Sequence, residues 1–270
     1  MNRSTTCGLH ILTHPLNSID QLHYAVTRIT AHYYDDGRRI NSKVLKTGTG
    51  FFYNNLTNDL LFLITNRHVI LDEKKDYYAN AIMLRLHANE NDLTKNADYY
   101  IHLYKKTSPL WRNPVPPTAD IVAIPIDTHD LNRRGLIYRS FASSNLLAED
   151  IQLNVGEDVF IMGYPLGIYD EVHNLPLTRG GTLSSPYPIP WNRMPYFLID
   201  SNLEEGTSGS PVMTKFRGTW HRRDGSQFHT GLAMFLLGIN SSTFPRRRRQ
   251  RQPVGLNATY FAQIIDQMTK

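Results

Sequence analysis

The chain has 270 residues, and 41% of them are hydrophobic, which is enough apolar sequence to fill a sizeable core and argues against global disorder. Lysine and arginine number 29 against 24 aspartate and glutamate residues, so the net charge is +5. Several of the arginines fall in one short run, from Arg246 to Arg251, and the rest of the chain is close to neutral. A broadly basic surface for nucleic acid is therefore not indicated.

Cys7 is the single cysteine, which excludes an intramolecular disulfide and favours a reducing compartment. Residues 1–20 contain no continuous apolar segment of the kind found in signal peptides. No stretch reaches the length of about 18 apolar residues that a membrane span requires. We therefore expect a soluble, cytoplasmic protein without membrane contact.

The first half of the chain alternates β-forming segments with turn residues, which predicts strands at 24–34, 47–53, 60–65, 81–87, 98–104 and 119–126. His68 comes three residues after an apolar strand, and a short helical turn is expected through residues 72–75. Asp120 opens the apolar part of the last of these strands. Residues 128–150 are polar, predict no definite element, and could link two halves of the protein.

The second half shows the same alternation of β-forming segments and turn residues. It predicts strands at 159–164, 176–184, 196–200 and 231–239, and another that begins at Val212. Apolar residues within 260–268 recur at helical spacing, which predicts a terminal amphipathic helix. Many short strands with little helix indicate an all-β barrel or sandwich.

Residues 205–212, Glu-Gly-Thr-Ser-Gly-Ser-Pro-Val, have the composition of a turn that presents a nucleophile. Gly206 and Gly209 permit backbone angles that other residues resist, so the turn can expose the Ser208 hydroxyl and direct backbone N–H groups inward. Acyl transfer requires this combination. Ser210 is the rival serine, but it lies outside the Gly-x-Ser-Gly frame. An ordinary surface turn is the alternative interpretation, because glycine, serine and threonine are common in turns.

A serine hydroxyl is a poor nucleophile at neutral pH unless a neutral imidazole accepts its proton. A buried carboxylate can orient that imidazole and stabilise its protonated form. We assign these three roles to Ser208, His68 and Asp120. Asp127 and Asp130 are alternatives for the carboxylate, but neither opens an apolar strand.

The segments around these residues resemble those of trypsin-like serine proteases of the chymotrypsin fold. They are 64–69 (Ile-Thr-Asn-Arg-His-Val), 120–124 (Asp-Ile-Val-Ala-Ile) and 206–211 (Gly-Thr-Ser-Gly-Ser-Pro), and they follow the family's order of His, Asp and Ser. The serine segment, with Ser210 in place of a second glycine, is closest to glutamyl-endopeptidase-like bacterial members.

The resemblance extends over about residues 24–269 and implies the fold. The expected architecture is all-β, with two six-stranded antiparallel β-barrels of the chymotrypsin type and a C-terminal helix. An N-terminal extension and the first barrel are expected over residues 1–130. A linker, the second barrel and the helix are expected over residues 131–270, so that the whole chain forms one protease domain.

The resemblance also implies where further functional groups lie. The backbone N–H groups of Gly206 and Ser208 are expected to form an oxyanion hole. The substrate pocket is expected around Asn202, Asn240, Ser241 and Thr243. No cofactor or metal is expected: His221 and His229 bracket a polar loop, but no cysteine pair or HExxH pattern accompanies them.

Three positions set this chain apart from the relatives it resembles. Digestive and clotting enzymes have an aspartate before the catalytic serine, which pairs with a new N-terminal ammonium after cleavage. Thr207 cannot form that ion pair, so activation would follow another route, such as a partner protein or loop ordering. Glutamate-preferring relatives usually have a histidine where this chain has Asn240. Asn202 carries no charge, so a preference for basic residues is not expected.

Two function classes follow. The first is a serine endopeptidase that acts on protein or peptide substrates. The alternative is a catalytically latent or partner-activated binding module on a protease-like fold. In that case the run from Arg246 to Arg251 could contact nucleic acid, although a solvated loop is the expected reading. A place beside the substrate pocket is the third alternative for this run.

Overall fold

The computed structural model describes residues 21–35, 38–39, 46–72, 77–115, 117–243 and 255–270. Cys7 and the run from Arg246 to Arg251 lie outside these residues, so the expectations about them remain predictions. No helix within the described ranges is long and apolar enough to cross a membrane.

The first part of the chain forms one large sheet and three small hairpins. Its strands are β1 (Val26–His32), β2 (Tyr34–Asp35), β3 (Arg38–Arg39), β4 (Thr47–Asn55), β5 (Leu60–Thr65), β6 (Leu71–Asp72), β7 (Tyr77–Tyr78), β8 (Ala81–His87), β9 (Asn96–His102), β10 (Tyr104–Lys105), β11 (Ser108–Pro109), β12 (Val122–Pro125) and β13 (Phe141–Ala142). The large sheet has the order β12-β5-β4-β1-β8-β9, and β13 pairs in parallel with β4.

Within the described residues, the large sheet is not closed by a ladder between its two edge strands, β9 and β12. Instead, the backbone of Arg112 exchanges two hydrogen bonds with that of Ala123, at 2.8 and 3.1 Å. Pro114 and Pro117 follow Arg112 and lack backbone N–H groups, so this stretch of chain cannot extend the ladder as a regular strand.

The second part of the chain forms a closed barrel, in agreement with the predicted fold class. Its strands are β14 (Asp158–Gly163), β15 (Leu177–Leu183), β16 (Tyr196–Asp200), β17 (Pro211–His221), β18 (Gln227–Thr243) and β19 (Leu256–Phe261). They are hydrogen-bonded in the order β14-β15-β16-β19-β18-β17, and all of these pairs are antiparallel.

The helices are short. They are α1 (Arg67–Ile70), α2 (Thr128–Arg133) and α3 (Ala262–Thr269), with 3-10 turns at Gln21–Tyr24, Ser143–Asn145, Pro165–Gly167 and Trp191–Arg193. The short helix α1 includes His68 itself. Of the helical turn predicted at 72–75, Asp72 belongs to β6, and residues 73–75 lie outside the described residues. The sequence predicted no element where α2 lies. Asp127 caps α2 by accepting a hydrogen bond from the Asp130 N–H at 3.0 Å.

The terminal helix begins two residues later than predicted. Tyr260 and Phe261 belong to β19, which pairs with β16 on one side and β18 on the other. Aromatic residues pack well on a sheet that has strands on both sides, and here this packing outweighs their helical spacing with later residues. The buried face of α3 packs into the core through Ile264, Ile265 and Met268.

β5 has a continuous apolar sequence because both of its faces are buried. Leu61 and Leu63 pack in a core within the first sheet. Phe62 and Ile64 pack in a second core, which residues of the first sheet and the second barrel share. All four are at most 3% exposed, and burial of such a side chain stabilises the fold by roughly 1.5–3 kcal/mol. The shared core holds the two sheets against each other.

Thr49 of β4 joins the first sheet to the loop between β16 and β17. Its hydroxyl donates to the Gly206 carbonyl at 2.8 Å and accepts from the Tyr164 N–H at 3.1 Å. Its own N–H donates to the Ser208 carbonyl at 2.9 Å. Because Thr49 is fully buried, these bonds are shielded from water and fix the loop against the first sheet.

We predict that Gly209→Ala destabilises the protein much more than Gly225→Ala. Both glycines have positive φ angles, +88° and +87°. A Cβ at Gly209 would lie 2.0 Å from the Thr49 carbonyl oxygen, whereas a Cβ at Gly225 would meet nothing within 4 Å. Gly225→Ala should cost about 1–2 kcal/mol from its left-handed backbone alone.

Chemical unfolding of both variants measures the difference. The free energy of unfolding lost in Gly209→Ala should exceed that lost in Gly225→Ala by about 2 kcal/mol or more. Equal losses would mean that the loop moves away from Thr49 without cost and that this contact does not fix its position.

Candidate active site

His68 lies on α1, directly after β5, and faces the carboxylate of Asp120. The backbone N–H of His68 donates to Asp120 Oδ1 at 3.0 Å, and His68 Nδ1 lies 2.5 Å from Asp120 Oδ2. Both carboxylate oxygens therefore contact the same residue. The imidazole ring is held in one orientation, with Nδ1 toward the carboxylate and Nε2 on the opposite side of the ring.

Asp120 is kept ionised by its hydrogen bonds. Burial alone would raise the pKa of its carboxyl group, but bonds from the His68 ring, the Ser241 hydroxyl and the His68 backbone outweigh this and hold the pKa below its usual value. Ser241 Oγ donates to Asp120 Oδ2 at 2.8 Å. An ionised Asp120 can only accept, so His68 Nδ1 carries the proton in this pair.

Side chains that the sequence did not single out hold α1 in place. Lys46 Nζ donates to the backbone carbonyls of His68, at 3.2 Å, and Leu71. The guanidinium of Arg67 donates to the carbonyls of Pro117 and Ala119, at 2.6 and 2.8 Å. These bonds join the helix to the residue directly before β4 and to the segment that carries Asp120.

Asn66 makes a further bond of the same kind, because its Nδ2 donates to the Asp120 backbone carbonyl at 2.7 Å. Asn66 and Arg67 are both neighbours of His68 in the sequence, and this adjacency is the one signal that could have marked them. Nothing in the sequence marks Lys46, whose contacts depend on the folded position of β4.

Ser208 lies in the loop between β16 and β17 and is half-buried. Its hydroxyl donates to the Ser241 backbone carbonyl at 3.1 Å. Within the part of the chain that the structure describes, the Ser208 hydroxyl forms no hydrogen bond with His68. Ser241 thus contacts two residues, since its hydroxyl reaches Asp120 while its carbonyl accepts from Ser208.

Two backbone N–H groups at and beside the nucleophile, those of Gly206 and Ser208, are not engaged by the residues that the structure describes. Thr207 N–H, Gly209 N–H and Ser210 N–H donate to the carbonyls of Glu204, Asn240 and Thr207. Gly206 adopts a φ of +91°, and a side chain there would meet the Tyr164 carbonyl at 2.4 Å, so glycine is required at this position.

A cavity of about 690 Å³ brings these groups together. His68, Asp120 and Ser208 all line it, and so do Asn240 and Ser241 from the expected substrate pocket. Thr207, which the sequence marked as a departure from the digestive and clotting enzymes, also lines it. The sequence assigned no role in the site to the remaining lining residues, which are Arg67, Leu71, Leu203, Glu204, Glu205, Asn257 and Tyr260.

Of the other two residues of the expected substrate pocket, Asn202 does not line the cavity, and Thr243 cannot be placed relative to it. Asn202 is exposed, and its backbone carbonyl accepts a hydrogen bond from Arg179 at 2.6 Å. Thr243 ends β18, and its side chain is outside what the structure describes. No group of three or more His, Cys, Asp or Glu side chains in the described ranges is arranged to hold a metal ion.

Solved structures with a similar fold include two proteases. A serine endoprotease from Yersinia pestis has a TM-score of 0.52 at 15% sequence identity, covering 92% of this chain and 62% of that protein. This chain therefore spans less than two thirds of that protein's length. A protease from M. tuberculosis, in its active form, has a TM-score of 0.48 at 13% identity, covering 91% of this chain and 79% of the other. A comparison with curated protein sequences gives no significant match.

The likeness to the Yersinia pestis protein concerns the fold alone at this identity, and it agrees with the all-β architecture described above. A family model gives stronger information. The model of the trypsin-like peptidase domain matches residues 48–219, which is more than half of the chain and includes His68, Asp120 and Ser208. The chain belongs to the trypsin-like peptidase domain family.

Proposed function

We propose that this protein is a serine endopeptidase that hydrolyses peptide bonds through Ser208, His68 and Asp120. The observation that carries the proposal is the contact between His68 and an ionised Asp120, in the cavity that Ser208 also lines. A surface turn would not require a half-buried carboxylate that binds both the ring and the backbone of one histidine.

The proposed reaction begins with His68. Because Nδ1 donates to Asp120, Nε2 has a free lone pair and can accept the proton of the Ser208 hydroxyl. Ser208 Oγ then bonds to the carbonyl carbon of the substrate. The protonated His68 passes its proton to the nitrogen of the departing amine, and an acyl-enzyme remains. Water, activated by the same imidazole, hydrolyses the ester and restores the serine.

The free N–H groups of Gly206 and Ser208 support an oxyanion hole. Negative charge develops on the carbonyl oxygen of the substrate when the serine attacks, and donors fixed beforehand stabilise it. In sites of this kind one such donor lowers the barrier by roughly 2.7–4 kcal/mol. The bond from Thr49 to the Gly206 carbonyl orients the peptide unit between Gly206 and Thr207.

A specific observation favours the second candidate, a latent or partner-activated module. The Ser208 hydroxyl donates its proton to the Ser241 carbonyl, and this bond must be released before His68 can accept that proton. Hydrogen bonds of catalytic groups are often loose before substrate binds, so this geometry is compatible with an active enzyme. We therefore retain the endopeptidase as the proposed function and treat activation by a partner as the alternative.

Three finer expectations belong to this proposal. The first is that the serine segment is most similar to that of glutamyl-endopeptidase-like bacterial members. The second is that the protein has endopeptidase activity, and the third is that it is located in the cytoplasm. Contact of nucleic acid with the run from Arg246 to Arg251 also remains a prediction from the sequence.

We predict that Ser208→Ala abolishes both peptide hydrolysis and labelling by a fluorophosphonate probe, because the reacting oxygen is lost. His68→Ala should lose nearly as much activity, since a serine without its base is not activated; in enzymes of this type the loss is roughly 10⁶-fold in kcat. Mass spectrometry of the labelled protein locates the modified residue, and hydrolysis of a mixed peptide library measures activity.

Ser210→Ala is the matched control, because it removes the neighbouring serine hydroxyl and leaves Ser208 in place. This variant should still react with the probe. Wild-type hydrolysis by purified Ser208→Ala protein would refute the proposed function. Failure of the wild-type protein to label under any condition would favour the latent module.

We predict that the contribution of Asp120 to stability persists to low pH. Its folded-state pKa is lowered, so the stabilisation is complete above the unfolded-state value of about 3.9 and is lost as pH falls through the lower folded-state value. Urea unfolding of the wild type and of Asp120→Asn should give a difference in unfolding free energy that is constant above a pH of about 5 and shrinks below about 4. A difference that already declines near pH 6 would contradict the low pKa.

A further inference from the structure

The carbonyl group beside the proposed oxyanion hole has a defined hydrogen-bond donor. The peptide unit between Glu205 and Gly206 carries the Gly206 N–H, and its carbonyl oxygen accepts from the Leu166 N–H at 2.5 Å. This peptide bond is trans, so its N–H and C=O groups point in opposite directions. The bond to Leu166 therefore determines where the Gly206 N–H points. Rotation of this peptide unit would present an oxygen, in place of a donor, to the developing negative charge.

The Leu166 N–H reaches Glu205 through an unusual backbone in the turn Pro165–Gly167. Leu166 has a φ of +52°, a left-handed conformation that is rare outside glycine. Such a conformation persists only where the surrounding structure holds it. The Leu166 side chain is 60% exposed, so its own burial contributes little to this restraint. The residues on either side of the turn therefore have to hold it in place.

Two tyrosines flank the turn. Tyr164 is buried, and its N–H donates to the Thr49 hydroxyl at 3.1 Å, which ties the start of the turn to the first sheet. The ring of Tyr169 packs edge-on against the ring of Tyr164, with the centroids 5.8 Å apart and an angle of 68° between the planes. Tyr169 is half-buried, so the end of the turn needs a further contact to be held as firmly as its start.

Arg28 of β1 makes this further contact. Its guanidinium carbon lies 5.1 Å from the centroid of the Tyr169 ring, and its Nη1 donates to the Tyr169 hydroxyl at 3.3 Å. A cation over an aromatic ring is attracted by the negative face of that ring. Arg28 is also the direct ladder partner of Thr49 on β4. Paired residues of two neighbouring strands thus hold the two ends of the turn.

No other contact among the described residues accounts for the charge of Arg28. None of the ion pairs that they form includes Arg28. Its Nε is buried and has no hydrogen-bond acceptor. A half-buried guanidinium without a carboxylate is costly, and an apolar side chain would avoid that cost. Neither Arg28 nor Tyr169 lines the cavity, so the charge does not contact a substrate bound there.

We propose that Arg28 is a positioning residue for the oxyanion hole. Through its contact with Tyr169, it fixes the turn Pro165–Gly167. The Leu166 N–H of the fixed turn then keeps the Gly206 N–H directed toward the substrate. This inference rests on the proposed function, since it concerns the same reaction. A misplaced donor affects the transition state more than the bound substrate, so loss of Arg28 should lower kcat and leave KM nearly unchanged.

Arg28→Met removes the charge and keeps an apolar stem of similar length. Its kcat should fall roughly 3- to 30-fold, the range that corresponds to one cation–π contact, with KM within about twofold of the wild-type value. Arg28→Lys keeps a cation near the ring and should recover part of the lost activity. Steady-state hydrolysis of one peptide substrate measures both constants. An unchanged kcat in Arg28→Met, or a loss that appears only in KM, would overturn the proposal.

Arg134→Met is the matched control. The guanidinium carbon of Arg134 lies 5.4 Å from the centroid of the Tyr99 ring, and neither residue lines the cavity. This variant also loses a cation from the face of a tyrosine, but it should keep the wild-type kcat and KM. An equal loss of kcat in Arg134→Met would mean that removal of any such contact impairs the enzyme, and it would count against the proposal.

A double-mutant cycle tests whether Arg28 acts through Tyr169. Tyr169→Leu removes the ring and should lower kcat about as much as Arg28→Met does. The variant with both substitutions should lose no more than either single variant, because one contact cannot be lost twice. If the two losses multiply instead, the residues act independently and the proposed route through Tyr169 is wrong.

Amide hydrogen exchange separates failure of this inference from failure of the proposed function. The Leu166 N–H can be followed by NMR in the wild type, Arg28→Met and Arg134→Met without substrate. Its exchange should be roughly 3- to 30-fold faster in Arg28→Met and unchanged in Arg134→Met. This result would support the restraint on the turn even if the wild-type protein hydrolyses nothing. Equal exchange in all three proteins would overturn the inference even if hydrolysis is observed.

Discussion

The position of the serine loop depends on one buried threonine. Thr49 belongs to the first sheet, yet its hydroxyl and backbone N–H bind the Gly206 and Ser208 carbonyls of the second barrel. His68 and Asp120 come from the first part of the chain, so the proposed chemistry requires the first sheet and the second barrel to meet in one fixed arrangement. The shared apolar core supplies most of the adhesion between them, but apolar contact is non-directional. The directional hydrogen bonds of Thr49 therefore fix the position of the serine loop relative to the first sheet.

The contacts around Ser241 extend this arrangement into the cavity. Ser241 of β18 donates a hydrogen bond from its hydroxyl to Asp120, and its carbonyl accepts one from the Ser208 hydroxyl. Its neighbour Asn240 binds Thr207, so two successive residues of one strand contact both the histidine–aspartate pair and the serine loop. The residues of the proposed chemistry are thus positioned by one rigid element, which favours precise geometry.

The sequence predicted those features that depend on residues close together along the chain. The ends of β5 and β16 were predicted without error, because an apolar run bounded by polar residues marks a strand buried on both faces. α2 was not predicted, since its sequence is polar and only one of its residues, Leu131, is buried. Asn202 was expected to lie in the pocket, but its surroundings depend on how β15 and β16 pack. Lys46 could not be singled out, because its role rests on contacts with His68 and Leu71, more than 20 residues away in the sequence.

The double burial of β5 also bears on how the first sheet finds its pairing. In a strand with one polar face, a slip of one residue would expose apolar side chains and is strongly opposed. A slip in β5 would exchange one apolar set for another, so polarity alone discriminates poorly between alignments. The shapes of the packed side chains must therefore select the correct alignment. A Cβ at Gly50 would lie 2.7 Å from Ile29 Cδ1, and one at Gly48 would lie 2.7 Å from Val69 Cγ2. The two glycines of β4 leave room for these larger side chains in one register only. They therefore favour that register sterically.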